Sequence, residues 1–288
     1  VITGFNNVTG STLTITGTTD AGSTVSLYNG SSTTPLTGTY TASGNAWSFA
    51  TTAVTSALTP TTFTITAKAT NAVGPSSASA ASSVIAANSA ATATAANNSL
   101  TASGSSVLVG YGGNDSLTGS AGSDTLLGGD GSDTLAGAVG ADILIGGYGN
   151  DNLTGGTGAD QFRFAGGNVT NPTGLGTSQL GVDLITDFNS TEGDKIVLSK
   201  ATFAALTSAA GANALATSEI GSINTTAAFE LLTNNGAAII YNQSTGHLIY
   251  NSNGSTLGLG NTGGVFATLG STIHPTGAFA ASNFLVVA

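Results

Sequence analysis

Through residues 1–85, pairs of apolar side chains alternate with Thr or Ser: Leu13 and Ile15, Val25 and Leu27, Trp47 and Phe49, Phe63 and Ile65. A period of two places each pair on one face of a strand. Turn residues fall between the pairs at Asp20-Ala-Gly22, Asn29-Gly30, Ser43-Gly-Asn45 and Asn71,. The pattern predicts an antiparallel β-sandwich over 1–85 with Trp47 in its core. Residues 86–100 (AANSAATATAANNSL) read as a small-residue linker. Near the end, 237–251 reads as a hairpin about a Ser-Thr-Gly turn, and 263–269 and 283–288 as further strands. The predicted fold class is all-β.

Between 110 and 163 the period is nine, kept through six units. Gly opens each unit: Gly110, Gly119, Gly128, Gly137, Gly146 and Gly155. A second Gly follows three places on: Gly113, Gly122, Gly131, Gly140, Gly149 and Gly158. Two places later stands an Asp: Asp115, Asp124, Asp133, Asp142, Asp151 and Asp160. The eighth place is apolar: Leu117, Leu126, Leu135, Leu144, Leu153 and Phe162. Such a unit divides into a glycine turn of about six residues and a strand of about three. Two units make one coil of 18 residues, with a strand in each of two facing sheets. Leu117, Leu135 and Leu153 then stack on one sheet, and Leu126, Leu144 and Phe162 on the other.

The acids obey the same parity. Asp115, Asp133 and Asp151 line one edge; Asp124, Asp142 and Asp160 line the other. Coils lie about 4.8 Å apart, so facing carboxylates repel by roughly 3 kcal/mol per pair at an effective dielectric of about 20. A hard cation between turns removes that penalty, taking carboxylates and turn carbonyls as the 6–8 oxygen shell of calcium. The chain has no Cys, and no His lies in the repeat, which disfavours zinc and copper. The pairs 115/133, 133/151, 124/142 and 142/160 predict about four calcium ions between turns. The stretch 101–109 keeps Gly104 and Leu108 in phase but has Ser106 in the acid's place, and reads as a metal-poor first turn. Asp130, at a variable third place, is expected in solvent. No EF-hand loop is present.

Composition sharpens this picture. Only 6% of residues are charged, and 11 of the 14 acids lie between 101 and 200. Without a basic cluster, nucleic acid and anionic lipid are not expected partners. No apolar run of 18 or more residues, and so no membrane span, is found,. Lacking Cys, the chain has no disulfide, which leaves metal as its staple,. It begins Val-Ile-Thr, with no recognisable signal peptide, and is expected to be part of a longer protein.

Units such as GGYGNDNLT (146–154) resemble the RTX nonapeptide repeat, Gly-Gly-x-Gly-x-Asp-x-hydrophobic-x,. The match loosens at the second place, where Tyr111, Ser120 and Ala138 replace Gly. The resemblance implies a parallel β-roll over 101–165 that folds on calcium, with the repeat Asp and the turn glycines as metal site. DQFRF (160–164) and DLITDFNSTEGDKIVLS (183–199) resemble the strand pair that closes such rolls, making 166–200 a capping segment. There, Asp183, Asp187 and Asp194 are candidate ligands of terminal calcium ions, each with a solvated acidic turn as the alternative. TGTTDAGSTVSLYNG, SGNAWSF and TFTITAKATNAVG resemble bacterial Ig-like domains of surface proteins. Residues 201–288, ending Ala280–Asn283 and Phe284-Leu-Val-Val287, resemble the β-rich tails that carry a type I secretion signal, although the usual Asp before the Phe is absent.

No His-Glu-x-x-His, Gly-x-Ser-x-Gly, catalytic Cys or phosphate loop occurs,, and His247 and His274 stand apart from any acid or nucleophile. An enzyme is not expected. The resemblances imply the C-terminal region of a calcium-dependent S-layer protein or RTX adhesin, secreted by type I machinery to the bacterial cell surface. Its expected partners are calcium, other copies, and a surface glycan or lipopolysaccharide bound through the parent protein. The alternative is the secretion and folding tail of an RTX protease, lipase or esterase. The outward series Ser116, Thr125, Thr134, Ile143, Asn152, Gln161 is too irregular for lattice matching to ice or glycan.

Overall fold

The computed structural model describes residues 2–9, 12–20, 22–29, 34–51, 61–71, 74–75, 82–86, 97–102, 105–165, 180–223, 237–253, 263–270 and 279–287. Gly30, Gly104 and His274, the Phe63 side chain and most of the 86–100 stretch lie outside them. Among the described residues the regular elements are all strands apart from one 3-10 turn, Ala281–Asn283.

Near the N-terminus, β1 (Ile2–Thr9), β2 (Thr12–Thr18), β4 (Thr39–Ser43) and β5 (Ala46–Thr51) form an antiparallel sheet in the order β1-β2-β5-β4. A second set contains β3 (Thr24–Asn29), β6 (Thr61–Asn71), β7 (Gly74–Pro75) and β8 (Ser82–Ala86), also antiparallel. Alternate residues of the two sets are buried together: Ile15, Trp47 and Phe49 from one, Val25, Leu27 and Ile65 from the other. Trp47 occupies the core position its alternation predicts.

The junction with the repeat is a shared sheet. β8 is antiparallel to β6 but parallel to β10 (Val107–Gly112), with Val84 opposite Val107 and Ile85 opposite Leu108. β1 also packs against β10 and the next two strands of that sheet. In the stretch read as linker, β9 (Ser99–Thr101) pairs with β11 (Ser116–Thr118) as the first strand of the opposite sheet.

The repeat winds as a parallel β-roll. One sheet contains β10, β12 (Thr125–Asp130), β14 (Ile143–Tyr148) and β16 (Gln161–Phe164). The other contains β9, β11, β13 (Thr134–Val139) and β15 (Asn152–Thr157). Most strands run six residues rather than the three expected, because the ladder continues through the opening glycine into the next turn. The predicted stacks are present: Leu108, Leu126, Leu144 and Phe162 in one file, Leu117, Leu135 and Leu153 in the other, all buried.

β17 (Asp183–Ile185) pairs in parallel with β15, and β18 (Lys195–Ser199) with β16. Residues 183–199 therefore add one more coil at the end of the roll, one strand to each sheet. Beyond it, β19 (Ile220–Ile223), β20 (Ile239–Asn242), β21 (His247–Tyr250) and β22 (Gly264–Leu269) extend one sheet, β22 lying parallel to β17. The predicted hairpin is β20–β21, with Ile239 opposite Tyr250. The last strand, β23 (Phe284–Val287), lies parallel to β18. Its other edge meets Gly211 and Ala212, whose N–H and C=O bond Val286 at 2.8 and 3.0 Å. An aromatic cluster fills the roll's open end: Phe279 lies 5.5 Å from Phe188, 4.9 Å from Tyr241 and 5.2 Å from Phe284, ring to ring. Burial of these rings covers the apolar interior that the last coil would otherwise expose.

Candidate metal centre

Each repeat Asp sits where a glycine turn enters a strand. The turn needs the left-handed backbone at its second glycine: Gly131 has φ 140°, and a Cβ there would collide with the Gly113 carbonyl one coil back. The opening glycine is needed for space. A Cβ on Gly128 would occupy the volume where Asp133 Oδ2 meets the Gly146 carbonyl of the next coil. Carboxylate and carbonyl thus converge on one cradle that only glycine leaves open, and Gly110 and Gly137 repeat it with their own Asp. Two of the second-place residues adopt the same left-handed backbone without being glycine, Tyr111 at φ 74° and Ala138 at φ 80°, whereas Ser120 does not.

Parallel register brings the acids together in two ladders. One oxygen of each accepts the N–H of the equivalent residue one coil earlier. Asp115 N–H donates to Asp133 Oδ1 at 2.7 Å, Asp133 N–H to Asp151 at 2.8 Å, Asp124 N–H to Asp142 at 2.7 Å, and Asp142 N–H to Asp160 at 2.9 Å. All six repeat Asp are 3% exposed or less. The second oxygens of Asp115, Asp133, Asp142, Asp151 and Asp160 are buried with no hydrogen-bond partner. Asp124 differs, since its Oδ2 accepts the Ser120 N–H at 2.8 Å.

Such oxygens are costly to ionise. Burial is the main cause that pushes Asp133 up to about 7, and the charges of Asp151, Asp115 and Asp130 add to it. Burial likewise raises Asp151 to about 7, and Asp115 and Asp142 to about 6, each against the lowering effect of a backbone N–H. Asp160 is raised for the same reason. A metal-free ladder is therefore harder to ionise than free carboxylates, chiefly because it is buried,.

The ladder is longer than the repeat. Asp151 N–H donates to Asp183 Oδ1 at 3.1 Å, and Asp160 N–H to Asp194 Oδ1 at 2.9 Å. Asp183 and Asp194 are thus the next rungs, at spacings of 32 and 34 residues that hide them from a search for period nine. Asp187 is not a rung. Its two oxygens accept the Gly155 and Gly156 N–H groups at 2.9 and 2.7 Å and so hold the last repeat turn. Asp130, expected in solvent, is half-buried, and burial raises its carboxyl.

Two further features escaped sequence reasoning. Fifth-place amides form their own ladder: Asn97 Oδ1 accepts the Asn114 N–H, Asn114 Oδ1 the Ser132 N–H, and Asn150 Oδ1 the Val182 N–H, at 2.9, 2.9 and 2.8 Å. Glu219 is a buried knot in the tail. Burial opposes its charge, but donors from Ser208, Ala216 and Thr207 outweigh burial and hold it at about 2. Asn114 and Asn150 keep the fifth place of the nine-residue unit, but the spacing does not reveal what their side chains bind, and Glu219 lies outside any period.

The donor set fits a hard cation. Every candidate ligand is oxygen; Asp115, Asp133, Asp142, Asp151 and Asp160 each carry one buried carboxylate oxygen without a donor, and a glycine carbonyl of the next coil converges beside those of Asp115, Asp133 and Asp142. Among the described residues, no group of three or more His, Cys, Asp or Glu gathers about a metal position, so turn carbonyls must complete the shell. When bound, calcium supplies a double positive charge between facing carboxylates; the chain's contribution is to space, orient and desiccate them.

Residues 100–135 and 136–170 match the family profile of the RTX calcium-binding nonapeptide repeat. This segment is accordingly a set of RTX repeats wound as a parallel β-roll. Among solved structures, the solution structure of the AlgE6R3 subunit from the Azotobacter vinelandii mannuronan C5-epimerase is similar at 24% identity. The likeness covers 68% of this chain and 81% of that one, with a TM-score of 0.35. No curated protein matches the sequence. No helix among the described residues is long and apolar enough to cross a membrane.

Proposed function

We propose that this chain is a non-catalytic, calcium-folded structural module from the C-terminal region of a secreted bacterial surface protein, an S-layer subunit or adhesin. The observation that carries the calcium switch is the row of buried Asp oxygens without donors, those of Asp115, Asp133 and Asp142 set beside a glycine carbonyl of the next coil. Metal-free, these groups disfavour the roll; with calcium between them they hold it together. For extracellular modules with dissociation constants of about 10⁻⁴–10⁻³ M, tenfold excess calcium stabilises each site by roughly 1.4 kcal/mol. Successive sites share acids, so they fill together and the transition is steep.

The surface role is supported by the Ig-like patterning of residues 1–85 and by the low charge of the chain. A sheet running unbroken from β8 into the roll would transmit calcium stiffening to the N-terminal strands. Type I export is supported by the RTX segment and by the tail sequence. A low-calcium cytosol would leave β23 unseated for the export machinery, whereas in the folded form Phe284 and Val286 are buried. Self-association, or binding of a surface glycan or lipopolysaccharide, would then follow outside the cell.

The test is circular dichroism of the whole chain titrated with calcium. A cooperative gain of β-signal, reversed by chelator and not reproduced by magnesium at equal concentration, is expected. A spectrum indifferent to chelator refutes the switch. Sedimentation of the same samples asks whether calcium carries monomers into ordered arrays; a monomer at every calcium level would remove the lattice role.

A further inference from the structure

The N-terminal end of the roll is finished differently on its two edges. On one, Ser106 stands in the acid's place and its N–H donates to Asp124 Oδ1 at 2.6 Å. With Asp124 Oδ2 bound to the Ser120 N–H, both oxygens of that carboxylate have donors. Nothing there calls for a cation.

The other edge is unlike it. β9 pairs with β11 at a spacing of 17, Ser99 opposite Ser116 and Leu100 opposite Leu117. That slip puts Asn98, not Asn97, at the rung before Asp115. The Asn98 N–H donates to Asp115 Oδ1 at 2.7 Å, the same distance as Asp115 to Asp133. Asn98 Oδ1 and Asp115 Oδ2 are both buried without a hydrogen-bond partner, and Asp115 is only 3% exposed. Two buried acceptors on consecutive rungs, neither with a donor, are costly unless something positive binds them. Amide and carboxylate oxygens are both calcium ligands.

We infer that Asn98 and Asp115 form an additional calcium position at the entrance of the roll, one that fastens β9 to the first full coil, while the Ser106–Asp124 edge binds none. The inference rests on the calcium reading of the Asp ladders. With one carboxylate where the other rungs have two, this position is the weakest and fills last, because calcium affinity follows ligand charge.

The test counts calcium by isothermal titration and equilibrium dialysis on the full chain and on its Asn98→Ala, Asn98→Asp and Ser106→Ala variants. Asn98→Ala should bind one ion fewer, losing only the weakest class, with an unchanged β-spectrum at saturating calcium. Asn98→Asp should keep the count and bind that last ion at a roughly ten-fold lower calcium concentration. Ser106→Ala should bind as the wild type does. An unaltered count in Asn98→Ala, or an Asn98→Asp isotherm that superimposes on the wild type, overturns the site and leaves Asn98 a strand-end residue. Wild type that binds no calcium at all overturns the ladder reading itself, a result separable from either of these.

Discussion

Replacing Asp133 by Asn removes one negative charge from the middle of a ladder edge while keeping an oxygen to accept the Asp115 N–H. Asp133 faces Asp115 on one side and Asp151 on the other, so two calcium positions lose a carboxylate. At tenfold excess calcium each position contributes roughly 1.4 kcal/mol, and losing both costs about 3 kcal/mol. For a chain of this size that corresponds to a fall in melting temperature of roughly 6–12 °C. Without calcium the sign reverses. The substitution deletes two facing-charge repulsions of up to roughly 3 kcal/mol each at full ionisation, and a neutral amide needs no proton to be buried. Asp133→Asn should therefore melt lower in calcium, and no lower in calcium-free buffer, than the wild type. Calorimetry in both conditions, with calcium counted in parallel, makes the comparison. An equal drop in both conditions would falsify the idea that this acid is a charge held for metal, and would make it an ordinary buried hydrogen-bond acceptor.

The remaining predictions concern pH, turn geometry and the closed end. In the metal-free fold Asp133 and Asp151 lie near 7 and Asp115 and Asp142 near 6, all above the unfolded value of about 3.9. Raised carboxyl values mean stability that is complete below about pH 4 and lost as pH climbs through 6 to 7. The calcium-free roll should thus melt higher at pH 5 than at pH 7.5, and a flat profile would contradict the burial of these acids. Gly131→Ala forces a side chain into a left-handed turn and against the Gly113 carbonyl, and should destabilise by about 3 kcal/mol in chemical unfolding with calcium present. Ala138→Gly relaxes a left-handed alanine at φ 80° and should raise the unfolding free energy by up to about 1 kcal/mol in the same experiment; a clear loss would show that the strain is absent. Phe279→Ala opens the aromatic cluster between Phe188, Tyr241 and Phe284 and should cost about 3–5 kcal/mol, read as an earlier unfolding transition in calcium.

The period of nine by itself determined the parity of the roll. In a parallel, in-register coil a fixed spacing leaves each Leu and each Asp one possible neighbour, so Leu117 had to meet Leu135 and Asp115 had to meet Asp133. Composition then pointed to an oxygen-only metal site. Period could not reach past the repeat. Residues 165–182 interrupt the count, and only backbone pairing of β17 with β15 and β18 with β16 returns Asp183 and Asp194 to the ladder. At the other end a one-residue slip moves the rung from Asn97 to Asn98, a choice made by the alignment of Leu100 under Leu117. The union of β8 with β10, and the aromatic closure of the last coil, join segments far apart in the chain. Such contacts follow from shape and shared hydrogen bonding across sheets, and no local spacing records them.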